Sequence, residues 1–66
     1  MPKSLVSRYL TNNGESVIEF HKSEDSKSLV IKRFLYGQLD SVVSKSIEAA
    51  DNVIMKLVQM GWAKEN

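Results

Sequence analysis

Four side chains that could hold a metal ion lie close together in the first half of the sequence. Glu19 and His21 alternate along a predicted strand, so they share one of its faces, and Glu24 and Asp25 follow shortly after. Imidazole and carboxylate groups at this spacing could supply two or three metal ligands. The same pattern is more typical of a polar strand face that leads into a polar turn, so we expect no metal site.

A second group of side chains could bind nucleic acid. Lys32, Phe34 and Tyr36 alternate along one predicted strand, and Arg8 could flank them. Aromatic rings stack on bases, while cations contact the phosphate backbone. Arg33 is a further candidate, but adjacent strand residues point to opposite faces, so Lys32 and Arg33 cannot share one flat binding surface. Both cations are more typical of a solvated sheet edge than of a nucleic-acid contact.

The residue types needed for catalysis are not arranged for it. The serines are scattered, and none lies in a Gly-x-Ser-x-Gly turn. A serine–histidine pair would have to use His21, the single histidine. The three glycines, Gly14, Gly37 and Gly61, are too far apart to cradle a phosphate. We therefore expect a protein that is not an enzyme and uses no cofactor, without catalytic, cofactor-binding or metal-ligating residues.

The composition favours a small protein that needs a partner. With 66 residues the chain forms one domain over 1–66, and it has no cysteine for disulfides or thiolate zinc sites. Self-association is the remaining way to support so small a core. The formal net charge of +1 is far from that of a typical DNA-binding domain. We find neither an apolar run of membrane-spanning length nor a signal-peptide pattern, so we expect a cytoplasmic protein that does not bind membranes.

The first half of the chain has the period of β-strands. Segments at about 4–10, 15–22 and 29–36 are rich in β-branched and aromatic residues, and Asn13-Gly14 predicts a hairpin turn between the first two. We predict a three-stranded antiparallel meander over about 4–36. The pattern leaves open which face of this sheet is buried.

The second half has the period of an amphipathic helix. The apolar positions from Leu39 to Val58 follow the i, i+3, i+4, i+7 spacing and predict one helix over about 38–60. Gly37 would be its N-cap, while Gly61 and Trp62 fit the C′ and C″ positions of its end. In an alternative interpretation the helix breaks near 49–52. The predicted fold is α+β, with the order β-β-β-α.

The predicted helix is longer than the sheet beneath it. Twenty-three helical residues span about 34 Å, whereas a strand of seven or eight residues spans about 25 Å. Apolar residues on the overhanging end would need a partner, unless the N-terminal segment folds over them. The partner-binding residues predicted there, with Lys32 or Arg33 at the sheet, are Val53, Ile54, Leu57 and Trp62.

The leading hypothesis is therefore a small non-enzymatic interaction or regulatory protein. It would act by binding another protein, and we expect it to form a homodimer through the helix end. The alternative is a protein that binds nucleic acid on a sheet face, as single-stranded DNA or RNA or as duplex DNA. Its predicted contacts are Arg8, Lys32, Arg33, Phe34 and Tyr36.

Overall fold

A computed structural model, which describes residues 4–11 and 13–65, contains one antiparallel sheet and one helix. In chain order the elements are β1 (Leu5–Leu10), β2 (Ser16–Lys22), β3 (Ser28–Leu35), β4 (Gln38–Ser46), α1 (Ile47–Gln59) and β5 (Ala63–Lys64). The strand order in the sheet is β4-β3-β2-β1-β5. The predicted α+β fold with an antiparallel meander and a C-terminal helix is confirmed. The predicted number of three strands is wrong, since β4 and β5 add to both edges.

The first hairpin forms where Asn13-Gly14 predicts it. The Asn13 side-chain oxygen accepts hydrogen bonds from the Thr11 hydroxyl at 2.9 Å and from the Glu15 backbone N–H at 3.1 Å. Gly14 has a φ of 73°, a left-handed conformation that glycine adopts without strain. This turn aligns β1 and β2 so that Leu10 lies opposite Val17.

The prediction of a helix over 38–60 is wrong for residues 38–46, which form β4. The chain reverses at Tyr36 and Gly37, whose φ angles of 52° and 80° are both positive, as in a type I′ hairpin turn. Gly37 is therefore a turn residue and not the helix N-cap. Serine and valine make up most of β4, QLDSVVSKS. Both are weak helix formers, and valine favours strands.

Helix α1 is shorter than predicted, and both of its ends are capped. The Ser46 hydroxyl accepts a hydrogen bond from the Ala49 backbone N–H at 3.2 Å, which satisfies one free donor of the first turn. At the other end, the N–H groups of Gly61 and Trp62 donate to the carbonyls of Val58 and Leu57. This is the predicted Gly61–Trp62 ending, a Schellman motif.

The length of α1 removes the predicted overhang. Its 13 residues span about 20 Å, less than the length of the longer strands. The helix continues without a break through 49–52, so the alternative interpretation of two helices is also wrong. The part of the chain that the structure describes has no helix long and apolar enough to cross a membrane.

The core lies between α1 and one face of the sheet, which we call the covered face. The buried hydrophobic residues are Tyr9, Phe20, Leu29, Ile31, Ala50 and Leu57, with Ile18, Val53, Ile54 and Trp62 packed against them. Phe20 is completely buried. Its ring packs edge to face against that of Tyr9, with the ring centroids 5.9 Å apart. Arg33 follows Ile31 on the covered face, but it is exposed, with its Nε 3.7 Å from Asp40.

The β2–β3 turn should make stability depend on pH through Asp25. The Ser23 hydroxyl donates to its carboxylate at 2.6 Å and the Lys27 backbone N–H donates at 3.0 Å. These bonds, that from Ser23 first, hold the pKa of Asp25 below its usual range. A carboxyl group with a lowered folded-state pKa stabilises the fold above its ordinary pKa, and this contribution is lost as the pH falls through the lowered value.

We therefore expect Asp25→Asn, which keeps an acceptor oxygen but cannot ionise, to lower the urea midpoint of unfolding at pH 7. The difference from the wild type should shrink at pH 3. Glu24→Gln removes a neighbouring exposed carboxylate and is the matched control. If Asp25→Asn lowers the urea midpoint by the same amount at pH 7 and at pH 3, the negative charge of Asp25 does not have the assigned stabilising role.

Candidate interaction surface

The face of the sheet opposite α1, which we call the open face, carries an apolar row. Cross-strand pairing places four residues directly opposite one another, in the order Leu10, Val17, Phe34 and Leu39. Ala63 of β5 extends the row beyond Leu10. Leu39, at the β4 end, is one of the exposed large hydrophobic residues of the protein. The row is therefore half-buried in its centre and exposed at both ends, where Leu39 is the large side chain.

The neighbouring row on the open face is charged but close to neutral. Arg8, Glu19 and Lys32 lie opposite one another on β1, β2 and β3. The Arg8 Nε lies 3.3 Å from Glu19, and the same guanidinium also forms an ion pair with Glu65. Two cations thus alternate with two anions. Neighbouring charges of opposite sign offset one another's field, so this row presents little net potential to a partner.

The histidine that could have supported catalysis is a buried member of a partly buried hydrogen-bond network. His21 is 6% exposed, with Nδ1 3.0 Å from the Ser4 hydroxyl and Nε2 2.8 Å from the Glu19 carboxylate. The other Glu19 oxygen contacts Arg8. These groups satisfy one another, as buried polar groups in folded proteins do. Residues 4–11 and 13–65 contain no cluster of three or more side chains able to hold a metal ion.

A surface cavity of about 430 Å³ lies beside this network. It runs along the start of β1 and the start of the β2–β3 turn, and it is lined by Ser4, Leu5, Val6, Lys22, Ser23 and Glu24. Its two charged residues, Lys22 and Glu24, have opposite signs. The lining therefore favours no ligand of one particular charge.

The most unusual feature of the surface is strand β4, which is exposed along its whole length. It forms one edge of the sheet, and each of its nine residues, Gln38–Ser46, is exposed. Val42 projects from the open face beside Lys32, while Val43 projects from the covered face beside Ile31. An edge strand presents unpaired N–H and C=O groups that can pair with another chain. The sequence interpretation missed this site because it assigned these residues to a helix.

Some features usually protect an edge strand from pairing, and β4 has them only near its ends. The pairing register shifts beside Asp40, which indicates a β-bulge, and Lys45 lies near the other end. Bulges and lysines discourage pairing with other strands. The centre, Ser41–Ser44, is uncharged and apolar on both faces through Val42 and Val43. The central part of the edge therefore remains open to a partner strand.

The helix residues predicted to bind a partner lie mainly against the sheet. Leu57 is 6% exposed and belongs to the core, so its side chain is not accessible to a partner. Val53, Ile54 and Trp62 are partly buried and pack against that core. A partner contact by these three stays a prediction. The exposed large hydrophobic residues of the helix and its cap are Ile47, Met55, Val58 and Met60.

The predicted nucleic-acid contacts are divided between different parts of the surface. Lys32 and Phe34 lie on the open face, as their alternation predicts, but Arg33 lies on the opposite face. Arg8 is on the open face but is engaged by two carboxylates. Tyr36 lies in the β3–β4 turn, where its hydroxyl is 3.4 Å from Glu15. Of these five residues, only Lys32 and Phe34 form a compact pair that is free of an ion pair.

Comparisons with known proteins identify no relative. No protein-family model matches the chain, no curated protein matches its sequence, and no solved structure matches its fold. The function must therefore be inferred from the surface itself.

We expect His21 to be needed for folding. His21→Ala should lower the free energy of unfolding by about 1–3 kcal/mol, because it removes two partly buried hydrogen bonds and truncates a buried side chain. Lys22→Ala changes the exposed neighbour on the same strand and should have little effect. Urea unfolding at one fixed protein concentration measures the stability of both variants against that of the wild type. An unchanged stability for His21→Ala would contradict a structural role for the network.

Proposed function

We propose that this chain is a small, cytoplasmic, non-enzymatic interaction or regulatory protein that acts by binding another protein. The single observation that carries the proposal is the fully exposed edge strand β4, Gln38–Ser46. A partner strand that adds to this edge would gain backbone hydrogen bonds along β4, while side chains on both faces would supply specificity.

The distribution of apolar residues supports this proposal. Among the described residues, six hydrophobic residues are buried, whereas nine large hydrophobic residues are exposed. Four of the nine fall between positions 39 and 47, in β4 and at the start of α1: Leu39, Val42, Val43 and Ile47. They lie on both faces of the edge, with Leu39 and Val42 on the open face and Val43 on the covered face. Exposed apolar side chains grouped in this way are typical of a protein-binding surface. A partner on this edge would shield apolar area that the small core leaves in water.

Charge distribution favours a protein partner over nucleic acid. Affinity for nucleic acid comes largely from cations that neutralise phosphates. On the open face, carboxylates already engage Arg8, and Lys32 lies directly opposite Glu19. The chain as a whole has a formal charge of only +1. The second candidate function, binding of nucleic acid, rests on the pair of Lys32 and Phe34 alone.

A lysine in the centre of β4 should abolish binding of the protein partner. Val42 and Val6 are both 51% exposed, so Val42→Lys and Val6→Lys are matched substitutions inside and outside the proposed surface. We expect affinity capture from native cells with a tagged bait, followed by quantitative mass spectrometry, to recover a partner with the wild type and with Val6→Lys, either a different protein or an untagged copy of this chain. The affinity of Val42→Lys for that partner should be at least about tenfold lower, which corresponds to about 1.4 kcal/mol, and its recovery should fall accordingly.

The physical reason is that strand addition would desolvate the new ammonium group without giving it a partner. Circular dichroism should show that both variants keep the fold, because each valine is half-exposed. Equal recovery of the partner with the wild type, Val6→Lys and Val42→Lys would contradict binding through β4.

Oligonucleotides provide a direct test of the second candidate. We expect no salt-sensitive binding of labelled single-stranded or duplex oligonucleotides by fluorescence anisotropy at low and at moderate salt. Micromolar binding that weakens steeply with salt and is lost in Lys32→Glu would contradict this expectation and favour the nucleic-acid function. Lys27→Glu, an exposed cation in the β2–β3 turn, is the matched control for the change of charge.

A further inference from the structure

We propose that the partner of β4 is a second copy of this chain, and that two β4 strands pair antiparallel about a twofold axis at Val43. The product would be a continuous ten-stranded sheet with both α1 helices on the same face. This inference rests on the proposed function, since it names the partner of the same edge. It also replaces the predicted dimer through the helix end with a dimer through the sheet edge.

Symmetry restricts how two such edges can meet. A closed dimer with one self-complementary interface has a twofold axis. Antiparallel strands in one sheet are related by an axis perpendicular to that sheet, and this operation keeps each face of the sheet on its own side. A residue of the covered face must therefore lie opposite a residue of the covered face. Val43 can lie opposite Val43 of the second copy, but Val42 and Val43 cannot lie opposite each other.

The charges of β4 favour the antiparallel orientation and are compatible with this register. With the axis at Val43, Ser41 of one copy lies opposite Lys45 of the other, and Asp40 lies next to Ser41 in the bulge. Lys45 projects from the covered face beside Leu29, and Asp40 reaches the same side, where it contacts Arg33. Each end of the paired strands would thus place a carboxylate near an ammonium group. Parallel pairing in register would instead place like charges together, which is unfavourable.

The apolar side chains of β4 agree with the same arrangement. Val43 would meet its own copy on the covered face, beside the start of the helix at Ile47, and both residues are exposed in the single chain. On the open face, the apolar row that ends in Leu39 would continue towards the second copy. The uncharged segment Ser41–Ser44 would form the centre of the interface, where pairing is least hindered.

Single-cysteine variants test this register directly, because the sequence has no cysteine of its own. Opposed residues of an antiparallel pair have Cα atoms about 4.5–5.5 Å apart, within the range that a disulfide spans. Under mild oxidation with copper phenanthroline, we expect most of the Val43→Cys protein to become a covalent dimer. Val6→Cys, on β1 and similarly accessible, should stay largely monomeric on a non-reducing gel.

Sedimentation equilibrium of the purified full-length chain measures the association itself. We expect the wild type and Val6→Lys to sediment at twice the chain mass, and Val43→Lys to weaken dimerisation at least about tenfold. Asp40→Lys and Lys45→Asp should each weaken the dimer, and their combination should restore it. Recovery in the double variant is a result that simple misfolding of either single variant cannot produce.

Failure of this inference can be told apart from failure of the proposed function. A wild type that is monomeric at high concentration overturns the self-pairing. A wild-type dimer combined with a Val43→Cys variant that forms no covalent dimer also overturns the self-pairing at Val43. In either case the proposed function still stands if affinity capture recovers a different protein with the wild type and loses it with Val42→Lys. The proposed function fails as well if no such protein is found.

Discussion

The type I′ turn at Tyr36 and Gly37 is the constraint on which the rest of the structure depends. Its two positive φ angles reverse the chain tightly enough to pair Leu35 with Gln38. The following residues are thereby held beside β3 as β4 and cannot join the helix. Helix α1 is consequently short, and it begins at the edge of the sheet. From there it packs over Phe20 and its neighbours, and β5 then pairs with β1 on the far side.

This arrangement divides the chain into a compact core and an unprotected edge. The helix covers the buried hydrophobic side chains of β1, β2 and β3, while β4 contributes no buried residue. A strand that stays exposed on both faces adds little to the stability of an isolated chain, because its side chains remain in water. Its length is easier to understand if the strand serves association. The cost of leaving it open would then be recovered when a partner strand pairs with it.

The open face shows how pairing register controls charge. Arg8, Glu19 and Lys32 are far apart in the sequence, and the meander brings them into one row where their charges offset each other. His21 lies in the next row and is tied to Glu19. The cations that would make a nucleic-acid surface are thus used to stabilise the sheet or are separated from one another. The same register places Val42 beside Lys32 and Val43 beside Ile31 at the centre of β4.

Local patterns in the sequence determined those features that depend on a few adjacent residues. The turn at Asn13-Gly14, the first strands and the Gly61–Trp62 helix end follow from conformational preferences within one turn or strand, and the structure agrees with each. The opposite placement of Lys32 and Arg33 likewise follows from strand alternation alone.

Only the tertiary structure decided the state of residues 38–46 and the buried face of the sheet. Leu39, Val42 and Val43 also fit a helical period, and the periodicity of so short a segment does not separate strand from helix. Pairing with β3 made the choice, since a hydrogen-bonded strand partner outweighs a weak local preference. For the sheet faces, both sides of β3 carry apolar residues, and the position of α1 selected the side with Ile31. Whether a residue is buried depends on which other elements pack against it, and the local sequence pattern does not determine that packing.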